Sequence, residues 1–297
     1  MKLAKTFLVA AAALLLATPF ALAQEAQRQS PALFVARDAD SALYLFGTLH
    51  IRRPGEAWGG PAAQAALSQA SEVWTELEIS PEGEAQAQTL ALQYGLAPPD
   101  QPLSSYFSEA ENARIKAFAR ANGADPRMLD RMRPWLAAIT LSILPMVRAG
   151  YDPSAGADRL IDSQADAAGK TMRWFETAEE QVRILASIDG EQARELVLQS
   201  IDEAEDGAAL IDQMAQAWQH GDLATLQALV VDDMRAQYPE AYDVLLARRN
   251  AAWTPVLVRE LEGAGVDFVA VGAAHLLGDD GLIAMLRARG YTVERVE

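Results

Sequence analysis

The sequence contains no cysteine and only three histidines. Without cysteine there can be no disulfides, thiolate nucleophiles, zinc–thiolate sites or iron–sulfur clusters. Any metal would have to be held by imidazole, carboxylate or water. Cations are also scarce, with 25 Lys and Arg against 41 Asp and Glu, a net charge of −16 over 297 residues. Such a chain lacks the clustered basic side chains that nucleic acid or an anionic membrane surface requires. Three motifs are missing as well. There is no G-x-S-x-G elbow for Ser–His catalysis, no H-E-x-x-H metalloprotease helix, and no Gly-rich phosphate loop of either nucleotide-binding type. What is present is ample apolar material: 51% hydrophobic and 22% charged residues, enough for a substantial core and too much for wholesale disorder.

The first 23 residues read as a secretory leader. Lys2 and Lys5 precede the apolar run Phe7 to Leu16, and Ala21-Leu22-Ala23 forms an A-x-A cleavage site. The run is broken at Thr18-Pro19 and is shorter than the roughly 20 residues of a spanning helix. Cleavage before Gln24 removes both lysines and leaves a mature charge of −18. A lipid anchor is excluded because no cysteine follows the site. The expected product is periplasmic or secreted, with no stable membrane insertion once the leader is gone.

Beyond the leader, a single domain over 24–297 is expected, of α/β (α+β) class. Ala32–Arg37 and Ala42–Phe46 are β-favourable runs separated by turn residues, which predicts a hairpin. A helix over Pro61–Ala70 leads to a strand over Glu72–Ile79. Residues from about 84 to 262 carry mostly helical periodicity, including long helices at Gln192–Gln219, Leu223–Ala236 and Tyr242–Glu262. A strand at Thr171–Phe175 interrupts them. The chain closes with a strand (Asp267–Val271), a helix (Gly281–Arg289) and a strand (Tyr291–Val296). The N- and C-terminal strands are expected to share one mixed sheet, with the helical middle as a cap.

The ends of the chain echo one another. Tyr44-Leu45-Phe46-Gly47-Thr48-Leu49-His50 matches Val269-Ala270-Val271-Gly272-Ala273-Ala274-His275, an apolar strand running into G-x-x-H each time. In an open α/β sheet the C-terminal strand edge is where ligands bind, so two imidazoles from neighbouring strands would converge there. Neutral imidazole suits Zn, Mn, Fe or Co. Two histidines need a third group, and Thr75-Glu76-Leu77-Glu78 supplies carboxylates that share a face at period two, together with Trp74. Glu76 or Glu78 would serve as ligand or general base. The third histidine, His220, stands where a long helix stops, and the helix C-terminus accounts for it.

These segments resemble the TraB/GumN family, which is related to the Tiki-type metalloproteases and, further off, to erythromycin-esterase and ChaN-like proteins. The likeness also covers Gly156-Ala157-Asp158, Phe175 to Gln181, Arg249-Asn250 and Gly281 to Val293, nearly the whole mature chain. The resemblance implies a site of His50, His275 and Glu76, with Glu78 as second choice, and a divalent ion (Mn, Co or Zn). Arg249 matches a family arginine that would balance Glu76, bind a substrate carboxylate or oxyanion, or form a plain surface ion pair. Glu176 and Gln181 match family positions of structural character, with Thr177 and Glu180 forming a capping box. The expected activity is a metal-dependent, peptidase-like hydrolase acting on a peptide or small molecule. Two alternatives stand beside it: a non-catalytic protein that sequesters a peptide or small signal, and a metal-independent His/Glu hydrolase of the esterase kind.

Overall fold

The computed structural model describes residues 30–205 and 207–297, so the leader read at residues 1–23 lies outside the described residues. Strands β1 (Leu33–Arg37) and β2 (Ser41–Thr48) form the expected antiparallel hairpin. Asp38 closes it by accepting hydrogen bonds from the Asp40 and Ser41 N–H groups and the Ser41 hydroxyl. Helix α1 (Pro61–Gln69) then leads to β3 (Glu72–Leu77). The helical middle comprises α2 (Pro81–Gly95), α3 (Glu109–Ala121), α4 (Pro134–Arg148), α5 (Ala157–Ala167), α6 (Ala178–Ala186), α7 (Gly190–Glu205) and α8 (Gly207–Gln219). Strand β4 (Thr171–Glu176) falls between α5 and α6. Helix α9 (Arg248–Leu261), β5 (Gly265–Gly272), α10 (Leu282–Ala288) and β6 (Val293–Val296) complete the chain.

All six strands lie in one mixed sheet of order β4-β3-β5-β2-β1-β6. β2, β5, β3 and β4 run parallel, while β1 is antiparallel to both β2 and β6. Thr48, Leu77, Glu176 and Gly272 therefore end their strands at one edge. Period-two alternation sorts the strand residues onto two faces. Val73, Phe268 and Phe46 join a core with α1 and α5, whereas Trp74, Val269 and Leu45 pack against Trp253 and Leu257 of α9. The unbroken run Phe268–Val271 is at most 1% exposed, as a central parallel strand covered on both faces requires. A third core, built on Ile115, Leu141, Val197 and Ile201, holds α3, α4 and α7 together within the helical middle. Among the described residues no helix is long and apolar enough to cross a membrane.

Several expected elements are corrected. A strand that follows the first G-x-x-H by one helix is expected beside β2, but β5 is inserted between β2 and β3, in register with both Leu43 and Glu72 at Asp267. The Gln192–Gln219 run is two helices, α7 and α8. Leu223–Ala236 is one continuous helical run, but with a π-helical stretch at Gln227–Asp232, and it stops before Tyr238, where Pro239 opens the next turn. A second π segment, Asp243–Ala247, precedes α9. The last strand starts at Val293, because Gly290 (φ 92°) and Tyr291 are spent on the cap of α10.

Candidate functional site

Glu76 stands at the end of β3 on the face that carries Trp74, aimed at α9 and 8% exposed. A buried carboxylate is costly unless paired and hydrogen-bonded. Here the Gly272 N–H donates to Oε1 at 2.7 Å and Arg249 Nη2 donates to Oε2 at 2.7 Å. Burial pushes its pKa up, but the imidazoles of His275 and His50, Arg249 and the Gly272 N–H outweigh that and hold it well below the usual carboxylate range.

Arg249 is the hub. Its Nε and Nη2 grip Glu176 at 2.7 and 2.9 Å, Nη2 also reaches Glu76, and Nη1 donates to the Leu245 carbonyl and to His275 Nε2 at 3.1 Å. All five N–H donors are thus engaged, and the guanidinium lies over the Trp253 ring at 4.7 Å. Glu176, raised by burial but held by Arg249, also accepts from Trp253 Nε1 at 3.0 Å. The π segment just before Arg249 adds a residue to the turn and so sets which side chains of α9 face the sheet edge. Thr177 and Glu180 form the expected capping box immediately after Glu176.

The two histidines approach the same oxygen. His50 Nε2 and His275 Nε2 each lie 3.8 Å from Glu76 Oε1. An arginine only donates, so His275 Nε2 is an acceptor and its Nδ1–H donates to Asn250 Oδ1 at 2.6 Å. Burial pulls its pKa to about 4, against the attraction of Glu76, so His275 is neutral at pH 7. The other ring packs differently: the His50 side chain is 58% exposed, with Nδ1 donating to Asp158 Oδ2 at 3.0 Å. Desolvation lowers its pKa, but Asp158 and Glu76 more than compensate and raise it to about 9. Gly272 sits where these groups meet. A Cβ there would fall 3.1 Å from Glu76 Oε1, 3.3 Å from His50 Nε2 and 3.6 Å from His275 Cδ2.

Four of the residues singled out from the sequence, His50, Glu76, Arg249 and His275, thus converge on one point. Glu78 does not join them. It lies beyond the end of β3, where its Oε1 accepts from the Ser80 hydroxyl at 2.8 Å. His220 is remote, exposed at the end of α8 with its Nδ1 on the Gln216 carbonyl. Asp158 and Asn250, the anchors of the two Nδ1 atoms, were quoted only within matching segments and had no assigned role. Their function depends on partners 108 and 25 positions away, which no local spacing signals.

The donor chemistry suits a divalent cation. Both imidazoles present Nε2 inward and secure Nδ1–H on an oxygen, the usual arrangement of histidine ligands. As placed, the donors are somewhat spread. Ligand atoms about 2.0–2.1 Å from a tetrahedral ion stand about 3.3 Å apart, against 3.8 Å here. Arg249 Nη1 also covers the lone pair of His275. Among the described residues no group of three or more His, Asp or Glu side chains is set to hold a metal ion as it stands. A modest contraction and release of one Arg249 contact would be needed.

Known proteins bear on the same region. The chain is similar to uncharacterized protein YbaP of Escherichia coli (strain K12), at 24% identity over 262 residues spanning 86% of this chain and 92% of that protein. The YbaP of Shigella flexneri is 26% identical over the same coverage. No solved structure matches. The model of the TraB/PrgY/gumN family matches residues 32–295, which contain every residue of the cluster. The chain belongs to the TraB/PrgY/gumN family.

Proposed function

We propose that this protein is an exported metal-dependent hydrolase acting on peptide bonds, with His50, Glu76 and His275 as its centre. The observation that carries this reading is the approach of both Nε2 atoms to one carboxylate oxygen, with each opposite ring nitrogen anchored by Asp158 or Asn250. His50 Nε2, His275 Nε2 and Glu76 Oε1 would hold the ion, with Mn, Co and Zn the candidates for this donor set. When bound, the ion polarises a carbonyl and makes water a nucleophile near neutral pH. The chain's own residues do the rest. Asp158 and Asn250 fix ring orientation, and Arg249 keeps Glu76 ionised while its bidentate grip on Glu176 ties the centre to β4. Hydrolysis then adds water across the C–N bond, the oxygen going to the carbonyl carbon and a proton to the departing amine.

A second reading retains hydrolysis without the metal. It rests on the 3.1 Å contact by which Arg249 already occupies His275 Nε2. In that case His50, protonated at neutral pH, supplies the proton to the leaving group. Peptide turnover measured before and after chelation and metal restoration separates the two. Loss and recovery supports the metal, while indifference to chelator supports the second reading. Tight peptide binding with no turnover under any metal would replace both by sequestration. For export, the mass of protein recovered from the periplasm is expected to begin at Gln24, and an intact Met1 terminus would overturn that part.

A further inference from the structure

A cavity of about 340 Å³ opens directly beside His50 and Glu76. It runs between the end of β3, the first turns of α2 and α5, and Gln181 of α6. Six charged side chains line it: His50, Glu76, Glu78, Glu84, Asp158 and Arg159. Five of these are matched. His50 is paired with Asp158, Arg159 with Glu84, and Glu76 with Arg249 behind the wall. Glu78 is different. Its one partner is the Ser80 hydroxyl, and among the described residues no cationic side chain lies within ion-pair reach of it. A half-buried carboxylate on a cavity wall, fixed by a neutral donor, leaves one unit of negative charge for whatever enters.

Spacing then limits what that occupant is. Glu78 is two residues past Glu76, so the chain sets their Cα atoms at most about 7 Å apart, and both side chains line the cavity. In an amino acid the α-nitrogen lies about 2.5 Å from its own carbonyl carbon. An ammonium–carboxylate hydrogen bond adds about 2.8 Å. A carbonyl held at the His50–Glu76–His275 centre therefore brings its own α-ammonium within reach of Glu78. The ammonium of a lysine side chain, several bonds further from its carbonyl, would overshoot. Leu77, Ile79, Ala87 and Ala270 provide apolar wall for a side chain, and the volume suits one residue with part of a second.

We propose that Glu78 is a specificity-determining residue that binds the free α-ammonium of a peptide substrate, so that the protein acts at peptide N-termini. The proposal rests on the hydrolase reading of the His50–Glu76–His275 centre, and its test keeps the two apart. Purified full chain is given alanyl and leucyl tripeptides and their N-acetylated counterparts, with turnover and calorimetric binding followed for the wild type, Glu78→Gln and Glu78→Asp. The wild type is expected to favour free amines by about tenfold or more in kcat/KM. Glu78→Gln still accepts the Ser80 hydrogen bond but lacks the charge, and should reduce that ratio to about threefold or less. Glu78→Asp should restore part of it. Equal turnover of free and acetylated peptides by the wild type overturns the proposal and leaves the hydrolase intact. An unchanged preference in Glu78→Gln overturns it too. If neither peptide is cleaved yet free amines bind about tenfold better to the wild type than to Glu78→Gln, the ammonium site holds and the hydrolase falls. Absence of both turnover and binding preference removes both.

Discussion

His50 and His275 hold their Nε2 atoms at the same distance, 3.8 Å, from a single oxygen of Glu76, although one ring is 58% exposed and the other 4%. The inner ring is set by the fold and the outer one by the open side of the cavity. His50→Ala therefore removes a proposed ligand with little cost to packing, whereas His275→Ala also empties space beside Trp253, whose ring centroid is 4.5 Å away. Elemental analysis of protein from its native compartment should find about one equivalent of divalent metal in the wild type and background in the double variant. Full metal content in the double variant would sink the assignment.

Arg249 pairs with two carboxylates at once, Glu76 and Glu176. Arg249→Met leaves Glu176 buried without a counter-ion and Glu76 with only the more distant His50, a change worth about 3–5 kcal/mol of stability. Adding Glu176→Gln to that variant should return part of the loss, since one buried charge is removed. Urea unfolding of the singles and the double gives the coupling directly.

Gly272 has φ −49°, which any residue adopts, so its need for glycine is a matter of space alone. Gly272→Ala should fold with a loss of about 1–3 kcal/mol while pressing on Glu76 and both histidines. Metal affinity or peptide turnover is expected to fall about tenfold or more. Unaltered activity would show that the three groups do not act together.

Asp267 pairs in register with Glu72 across β5 and β3, and its pKa is raised to about 6 by burial, then by Glu260 and Glu72. A carboxyl whose folded pKa exceeds its unfolded value near 4 favours the folded state when protonated, so this contribution fades as pH rises from about 4 through 6. At pH 7 the ionised group costs stability. Asp267→Asn should stabilise the protein by about 1–2 kcal/mol at pH 7, after allowance for solvent screening, and by little at pH 4. Thermal midpoints at the two pH values decide the matter.

Much of this site could be read from the chain because its chemistry is repeated. Two strands that each run into G-x-x-H announce themselves locally, and period two placed Glu76 on the face of Trp74. That β5 stands between β2 and β3 was hidden, since parallel pairing joins segments far apart and leaves no local mark. The π segments near Gln227 and Asp243 were hidden for a different reason: apolar spacing within a turn or two reads as α-helix whether or not a residue is inserted. Asp158 and Asn250 were invisible as anchors because a hydrogen bond to an imidazole across the fold has no periodicity.

The central position of β5 bears on the order of events during synthesis. Residues 265–272 pair with 41–48 on one side and with the β3 ladder on the other, yet they are made long after both. Until they emerge, the inner edges of β2 and β3 have no neighbour, and the sheet remains two unjoined halves. Pairings this distant in sequence close slowly and leave strand edges open to other chains in the interval. A chain halted before Gly265 would lack its middle strand as well as His275, which makes the arrival of β5 the step that joins both the sheet and the histidine cluster.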